Sequence, residues 1–186
     1  MNRIDRAFQA APRIEFLPHM SRIRAARDAP LPIGFGQTNS QPSVVRQMLE
    51  WLSPRPGEKV LDVGSGSGWT TALLAHLVGR EGAVYAVEKV PQLVRFGMKN
   101  CKRVGTRNAH FFKAEEEYGL SRFAPYDRIL VSAAATDLPG ALVGQLKMSG
   151  RMVIPIRGSI HVIDKIDETT IEDVEYPGFL FVPLIP

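Results

Sequence analysis

An α/β, doubly wound sheet of seven mostly parallel strands is the fold class the sequence predicts, and three observations predict it. Short runs rich in Val, Ile and Leu alternate with stretches of helical apolar spacing, the order that builds a parallel sheet covered on both faces. The run Lys59-Val60-Leu61-Asp62-Val63 leads into Gly64-Ser65-Gly66-Ser67-Gly68, which reads as a strand, a tight turn and the start of a helix. The 186 residues are 45% hydrophobic and 23% charged, which suits one domain with a sizeable core.

Taken in order, residues 2–11 carry a short helix that ends near Pro12. The local run of arginines (Arg3, Arg6, Arg13, Arg22, Arg24, Arg27) reads as a solvated helical face. Residues 29–41 are rich in Pro, Gly, amide and hydroxyl groups and read as a long loop. Leu31, Ile33 and Phe35 give that loop an apolar centre fit to pack as a lid. Ser40 or a neighbour caps a helix over 42–52, where Pro42 suits the first turn and Val44, Val45, Met48, Leu49 and Leu52 form a core stripe. The pattern then predicts strand 59–63, helix 68–78, strand 83–88, helix 91–104, strands 109–113 and 127–132, helix 138–146 and strand 151–156. Two last strands, 160–163 and 178–184, are joined by an acidic connection. The whole, 1–186, is one domain: N-terminal helices and a substrate or lid loop over 1–53, a nucleotide-binding core over 54–158, and C-terminal strands over 159–186.

The glycine turn is where a nucleotide should sit. Glycine lets the backbone turn sharply and lets a ligand approach the main chain, while the helix that follows offers free N–H groups. The G-x-G-x-x-G dinucleotide pattern would need its third glycine where Trp69 stands, so a pyrophosphate is disfavoured. A nucleoside with an amino-acid end, such as S-adenosylmethionine, fits better: Asp62 can counter an ammonium, and the turn amides can receive a carboxylate. Gly82-Ala83-Val84-Tyr85-Ala86-Val87 ends in Glu88, placed to accept hydrogen bonds from ribose hydroxyls. Ligands gather at the carboxyl ends of such strands, which brings Glu115 and Ser132-Ala133-Ala134-Ala135 to the same edge.

A formal net charge of +4 does not require nucleic acid as a partner. The single cysteine, Cys101, rules out an intramolecular disulfide or a cysteine metal cluster and suits a reducing compartment. No run reaches the ~18 apolar residues of a membrane span and the start does not read as a signal peptide, so a cytoplasmic, monomeric protein is expected. The four histidines, His19, His76, His110 and His161, share no spacing that suggests a metal or a base, and no metal is expected.

The sequence resembles the protein-L-isoaspartate O-methyltransferase family. The resemblance is carried by Pro30-Leu31-Pro32-Ile33-Gly34-Phe35-Gly36-Gln37-Thr38-Asn39-Ser40-Gln41-Pro42 and by Val60 to Gly68. It continues through Ala124-Pro125-Tyr126-Asp127-Arg128-Ile129, Ala133-Ala134-Ala135, Leu138-Pro139, Leu142, Gln145-Leu146 and Phe181-Val182-Pro183-Leu184. It implies a Rossmann-like S-adenosylmethionine-dependent fold and a repair enzyme that methylates isoaspartyl carboxylates in damaged proteins, releasing S-adenosyl-L-homocysteine. It further implies that Ser40 is the active-site hydroxyl, Glu88 the ribose-binding acid and Ala114-Glu115 the pair near adenine. The expected cofactor contacts are then Asp62, Gly64, Ser65, Gly66, Gly68, Trp69, Glu88, Lys89, Ala114 and Glu115. Ile33, Gly34, Gln37, Thr38, Ser40, Ala133 and Ala134 are expected to face the peptide.

The chain departs from the family pattern at Asn39, Gln41 and Ser43 and at Ala114-Glu115-Glu116. Those departures keep two alternatives in view: a specialised methyltransferase for ordinary aspartates of a particular peptide or protein, and a non-catalytic S-adenosylmethionine-binding homologue. A base methyltransferase is disfavoured, because the run Asp127 to Ala133 lacks an Asn/Asp-Pro-Pro-aromatic grip.

Overall fold

The computed structural model describes residues 1–185. Its elements are α1 (Arg3–Ala10), a 3-10 turn (Arg13–Phe16), α2 (His19–Arg22), β1 (Leu31–Gly34), β2 (Gln37–Asn39), α3 (Pro42–Leu52), β3 (Lys59–Val63) and α4 (Trp69–Val78). They continue with β4 (Ala83–Glu88), α5 (Pro91–Arg103), β5 (Ala109–Lys113), β6 (Tyr126–Val131), α6 (Gly140–Gln145), β7 (Leu146–Ile156), β8 (Ser159–Lys165) and β9 (Ile171–Pro177).

The main sheet has seven strands in the order β5-β4-β3-β6-β7-β8-β9, parallel from β5 to β7 and antiparallel beyond. The chain runs outward from β3 to β5 and then returns to place β6 on the other side of β3. The strand order therefore reverses between β3 and β6, and a crevice opens above their carboxyl ends.

Strand alternation splits the interior into two layers. Val60, Val84, Leu130 and Val153 point into the core shared with α1, α3, α4 and α5. Leu61, Val87, Ile129 and Met152 point to the opposite face, with Leu142 of α6. Helix α4 is buried on nearly every side, with only His76 exposed, because α1 lies over its outer face. An element that would otherwise be a surface helix thus reads as apolar all round.

Four sequence expectations are corrected here. The stretch 29–41 is not an irregular loop: β1 and β2 form a hairpin, with Leu31 and Ile33 turned inward and Gly34, Phe35 and Gly36 all at positive φ in the turn. Ser40 does not cap α3. Gln41 holds the cap position without a side-chain bond to the helix amides, and Asp28 instead accepts the Ser43 N–H at 2.8 Å from outside the helix. The last strand is the acidic 171–177 rather than the apolar 178–184. At the sheet edge the carboxylates of β9 find cross-strand donors, Ser159 Oγ to Glu175 at 2.6 Å and His161 Nδ1 against Asp173 at 2.9 Å. Residues 178–184 turn back over the crevice, where Ala134 N–H donates to Val182 and Leu184 N–H donates to Ala134. Finally, Arg13 is not on a solvated face, since it is only 7% exposed.

Candidate active site

Residues that begin the site sit in the turn after β3. Gly64, Gly66 and Gly68 adopt φ of +77°, +51° and +84°, a region that side chains oppose. At Gly66 a Cβ would also approach Ile33 Cδ1 to 3.1 Å, so the turn and the hairpin touch. Beneath the turn, Asp62 is fully buried and its Oδ2 accepts the Thr71 hydroxyl at 2.6 Å and the Thr70 hydroxyl at 3.0 Å. Burial pushes the Asp62 carboxyl up to about 6, against the pull of those two hydroxyls and with the Glu88 charge adding to the rise.

Glu88, at the end of β4, is fixed by the same turn. Gly66 N–H donates to its Oε2 at 2.8 Å and Val90 N–H to its Oε1 at 2.9 Å. Each carboxylate oxygen keeps a lone pair for a further donor, which is the arrangement a vicinal diol requires.

Glu88 and Gly66 line an open cleft together with Gly64, Ser65, Ser67, Trp69, Lys89, Ala114 and Glu115. The hairpin contributes Ile33, Gln37, Thr38, Asn39 and Ser40 to the same cleft, and Ser132 and Ala133 close its base. One wall is the segment Tyr118-Gly119-Leu120. Gln145 clamps it, accepting from Leu120 N–H and donating to Tyr118 O, each at 2.8 Å, while the Tyr126 hydroxyl donates to Leu120 O at 2.7 Å. A second groove runs on from Thr38, Ser40, Ser132 and Val182 past Phe179, Leu180 and Phe181.

Some expected residues stand elsewhere. Asp62 does not line the cleft: it lies beneath the turn, its Oδ2 held by the first residues of α4 and its Oδ1 buried with no partner. Gly68 is likewise absent from the lining, being pressed against Gly97 of α5. Gly34 lies at the exposed hairpin turn, and Ala134 forms a bridge with Pro183 rather than facing the cleft. Trp69 presents only an edge, since its indole N–H is committed to Ala11 O at 2.9 Å and the ring is buried. Glu115 is at the rim, 62% exposed and 3.9 Å from Arg122.

Sequence reading missed Ser67, Tyr118, Gly119 and the returning segment Val182 to Ile185 as lining residues. Ser67 was legible inside the glycine turn. The others are brought in by long-range folding. None of the four histidines lines the cleft or the groove, and among the described residues no cluster of His, Cys, Asp and Glu could hold a metal.

A nucleoside with an amino-acid end fits these residues. The Ser65 hydroxyl is buried in the lining with no hydrogen-bond partner, so a ligand atom would satisfy it. The glycine turn leaves backbone exposed where a Cβ would intrude, and the Glu88 carboxylate is aimed by two amides.

The model of the family described as Protein-L-isoaspartate(D-aspartate) O-methyltransferase (PCMT) matches residues 1–186. A protein-L-isoaspartate O-methyltransferase from Methanopyrus kandleri is 45% identical over 190 residues, covering 99% of this chain and 84% of its own. The enzyme of that name from Aeropyrum pernix is 45% identical over 188 residues, 98% of this chain and 72% of its own. Among solved structures, a protein-L-isoaspartate O-methyltransferase matches with a TM-score of 0.88 at 27% identity, over 100% of this chain and 62% of that one. A Plasmodium falciparum structure, described as a protein-L-isoaspartate O-methyltransferase in complex with S-adenosyl-L-homocysteine, matches with a TM-score of 0.87 at 25% identity, over 100% of this chain and 91% of that one.

Proposed function

Because the chain belongs to the protein-L-isoaspartate(D-aspartate) O-methyltransferase family, we propose that the cleft above β3 and β6 is where it methylates isoaspartyl carboxylates of damaged proteins. The enzyme is an S-adenosylmethionine-dependent methyltransferase of protein repair. One observation carries the assignment of the site: the glycine turn, Glu88 and Ser40 line a single cleft although they come from three separate parts of the chain.

S-adenosylmethionine, when bound, supplies a methyl group on a positively charged sulfur. An isoaspartyl linkage leaves a free α-carboxylate, which is ionised at neutral pH and already nucleophilic. No general base is needed, consistent with a lining that contains no histidine. The work of the protein is therefore alignment and exclusion of water.

In this reading Glu88 accepts from the ribose hydroxyls, and Gly64, Ser65 and Gly66 receive the amino-acid end through backbone and hydroxyl. Ala114, Glu115 and Tyr118 border the base. The hydroxyls of Ser40 and Thr38 and the amide of Gln37 hold the acceptor carboxylate, and Ile33 and Val87 supply apolar cover against competing water. The groove past Phe179 and Phe181 leaves room for the residues flanking the acceptor.

The reading extends to a monomeric enzyme of the cytoplasm that acts on peptides and proteins and needs neither nucleic acid nor membrane. It is supported by the lone Cys101, whose thiol burial pushes up to about 12 and keeps protonated. No helix among the described residues is long and apolar enough to cross a membrane.

The test is methyl transfer from labelled S-adenosylmethionine to paired peptides that differ only in carrying isoaspartate or aspartate, scored as base-labile ester. Ester on the isoaspartyl peptide alone is expected. Preference for the aspartyl peptide would make the protein a specialised aspartyl methyltransferase, and cofactor binding without ester on either would make it a binding homologue.

A further inference from the structure

Arg13 is a buried cation whose five N–H donors are fully used. Its Nε donates to Asn39 Oδ1 at 2.7 Å, and its terminal nitrogens reach the carbonyls of Ala25 at 3.4 Å, Arg27 at 2.8 Å, Ala29 at 2.7 Å, Asn39 at 3.1 Å and Ser40 at 2.8 Å. Its guanidinium carbon lies 5.4 Å from the centre of the Trp69 ring. Burial lowers its pKa to about 10, so it stays charged at neutral pH. A planar fork holds its acceptors in fixed directions, which pins the end of β2 and the strand's next residue, Ser40, to the N-terminal region.

Asn39 carries the connection onward. It is 5% exposed, and while its Oδ1 accepts from Arg13, its Nδ2 donates to Ser67 Oγ at 3.1 Å. Among the described residues this is the one hydrogen bond running directly between the hairpin and the glycine turn. Ser67 is held from its other side as well, its carbonyl accepting Asn100 Nδ2 at 3.0 Å.

We propose that Arg13 and Asn39 are positioning residues for methyl transfer: they lock the Ser40 hydroxyl on the hairpin to the Ser67 turn, so that acceptor and methyl donor meet in one geometry. The proposal rests on the methyltransferase reading above. Its physical basis is that transfer rate is sensitive to displacements well below the size of an atom, whereas binding of each partner by itself is not. Ser40 and Ser67 lie on different elements, and the approach of Ile33 to Gly66 is apolar and carries no directional bond. The Asn39–Ser67 bond supplies the directional restraint.

The experiment uses Asn39→Leu, which removes both side-chain bonds while five carbonyls still serve Arg13, and Ser67→Ala, which removes only the far end. With an isoaspartyl peptide, N39L is expected to lower kcat about tenfold, with peptide KM and cofactor Kd changed less than about threefold. S67A lowers kcat in the same direction. In a Ser40→Ala background N39L should add less than about twofold, since its effect runs through Ser40. In the protein without ligands, amide exchange over residues 31–40 should quicken in N39L while α4 keeps its protection.

Turnover of N39L and S67A within about twofold of the parent would overturn the proposal, as would an undiminished N39L penalty in the S40A background. Should the parent protein esterify neither peptide, the methyltransferase reading fails. The positioning role of Arg13 and Asn39 is then judged by exchange alone, and unchanged exchange over 31–40 in N39L overturns it.

Discussion

Gly68 and Gly97 bring the start of α4 into backbone contact with α5: a Cβ on Gly68 would stand 2.9 Å from both the Cα and the carbonyl oxygen of Gly97. The contact sets the depth of the glycine turn, because the same stretch of α5 also supports it through Asn100 and through Cys101, whose Sγ lies 3.3 Å from Gly68 O.

Gly97→Ala separates this packing constraint from helix propensity. In an unconstrained helix the change would stabilise by about 1 kcal/mol. Here the new Cβ would stand 2.9 Å from Phe111 Cε1 and 3.2 Å from Gly66 O and Gly68 N. Thermal unfolding should show a lower Tm, corresponding to about 2 kcal/mol, and cofactor affinity should fall with it. A raised Tm would mean that α5 is not held against the turn.

Glu88→Ala should weaken S-adenosylmethionine binding about 10- to 100-fold in titration calorimetry, through loss of the acceptors placed for the ribose hydroxyls. Gly66 and Val90 also lose their side-chain acceptor, so the Tm of the unliganded protein should fall slightly. Unchanged affinity would remove Glu88 from the cofactor site.

The buried Asp62 predicts a pH effect of unusual sign. Its carboxyl titrates at about 6 when folded against 3.8 for the free group, so between those values the folded state binds more protons than the unfolded one. Its contribution to stability is therefore fully present below about pH 4 and declines as pH rises to about 6, by on the order of 3 kcal/mol. Asp28 and Asp127 act oppositely, their carboxyls being lowered by the Ser43 backbone N–H and by the Lys59 and Lys147 hydrogen bonds against a counteracting burial. The comparison must be made between proteins: denaturant unfolding should show Asp62→Asn gaining on the parent as pH is raised from 4 to 7. A difference that does not vary with pH would mean that Asp62 is ionised without cost.

Ser40→Ala should reduce kcat by about 10- to 100-fold while cofactor Kd changes less than about threefold, because the hydroxyl borders the acceptor side of the cleft. Steady-state assays with the isoaspartyl peptide, alongside calorimetry, separate the two quantities. Normal turnover would leave Ser40 without a part in transfer. It would not restore a capping role, since Gln41 occupies the cap.

Much of the fold was legible because its signals are local. The seven-stranded order of apolar runs, the β3–turn–α4 unit and Glu88 at a strand end are all set by residues within a few positions of one another. The hairpin over 31–39 was hidden by its composition, since Pro32, Gly34 and Gly36 signal a loop. What makes it a strand pair is the cluster of Leu17, Leu31, Ile33 and Leu93 beneath it. The last strand was misplaced for the converse reason. Local apolarity favoured 178–184, but the carboxylates of 171–177 are satisfied only once β8 lies beside them.

By itself the sequence determined which residues build a nucleoside turn, that a carboxylate ends the neighbouring strand, and that a hydroxyl stands near the end of the stretch 29–41. Tertiary structure decided which of them face the cleft. Asp62 and Gly68 belong to the glycine-turn motif yet turn beneath it, while Tyr118 and Val182 lie far from that motif in the chain and line the cleft. Arg13 shows the division most directly: in the sequence it is one of several basic residues, and in the fold it meets the carbonyls of residues 25, 27, 29, 39 and 40. Local pattern fixes φ and ψ and the alternation of faces, which depend on near neighbours. The partner of a buried charge depends on which distant segments the sheet brings together, and its desolvation cost makes that partnership obligatory.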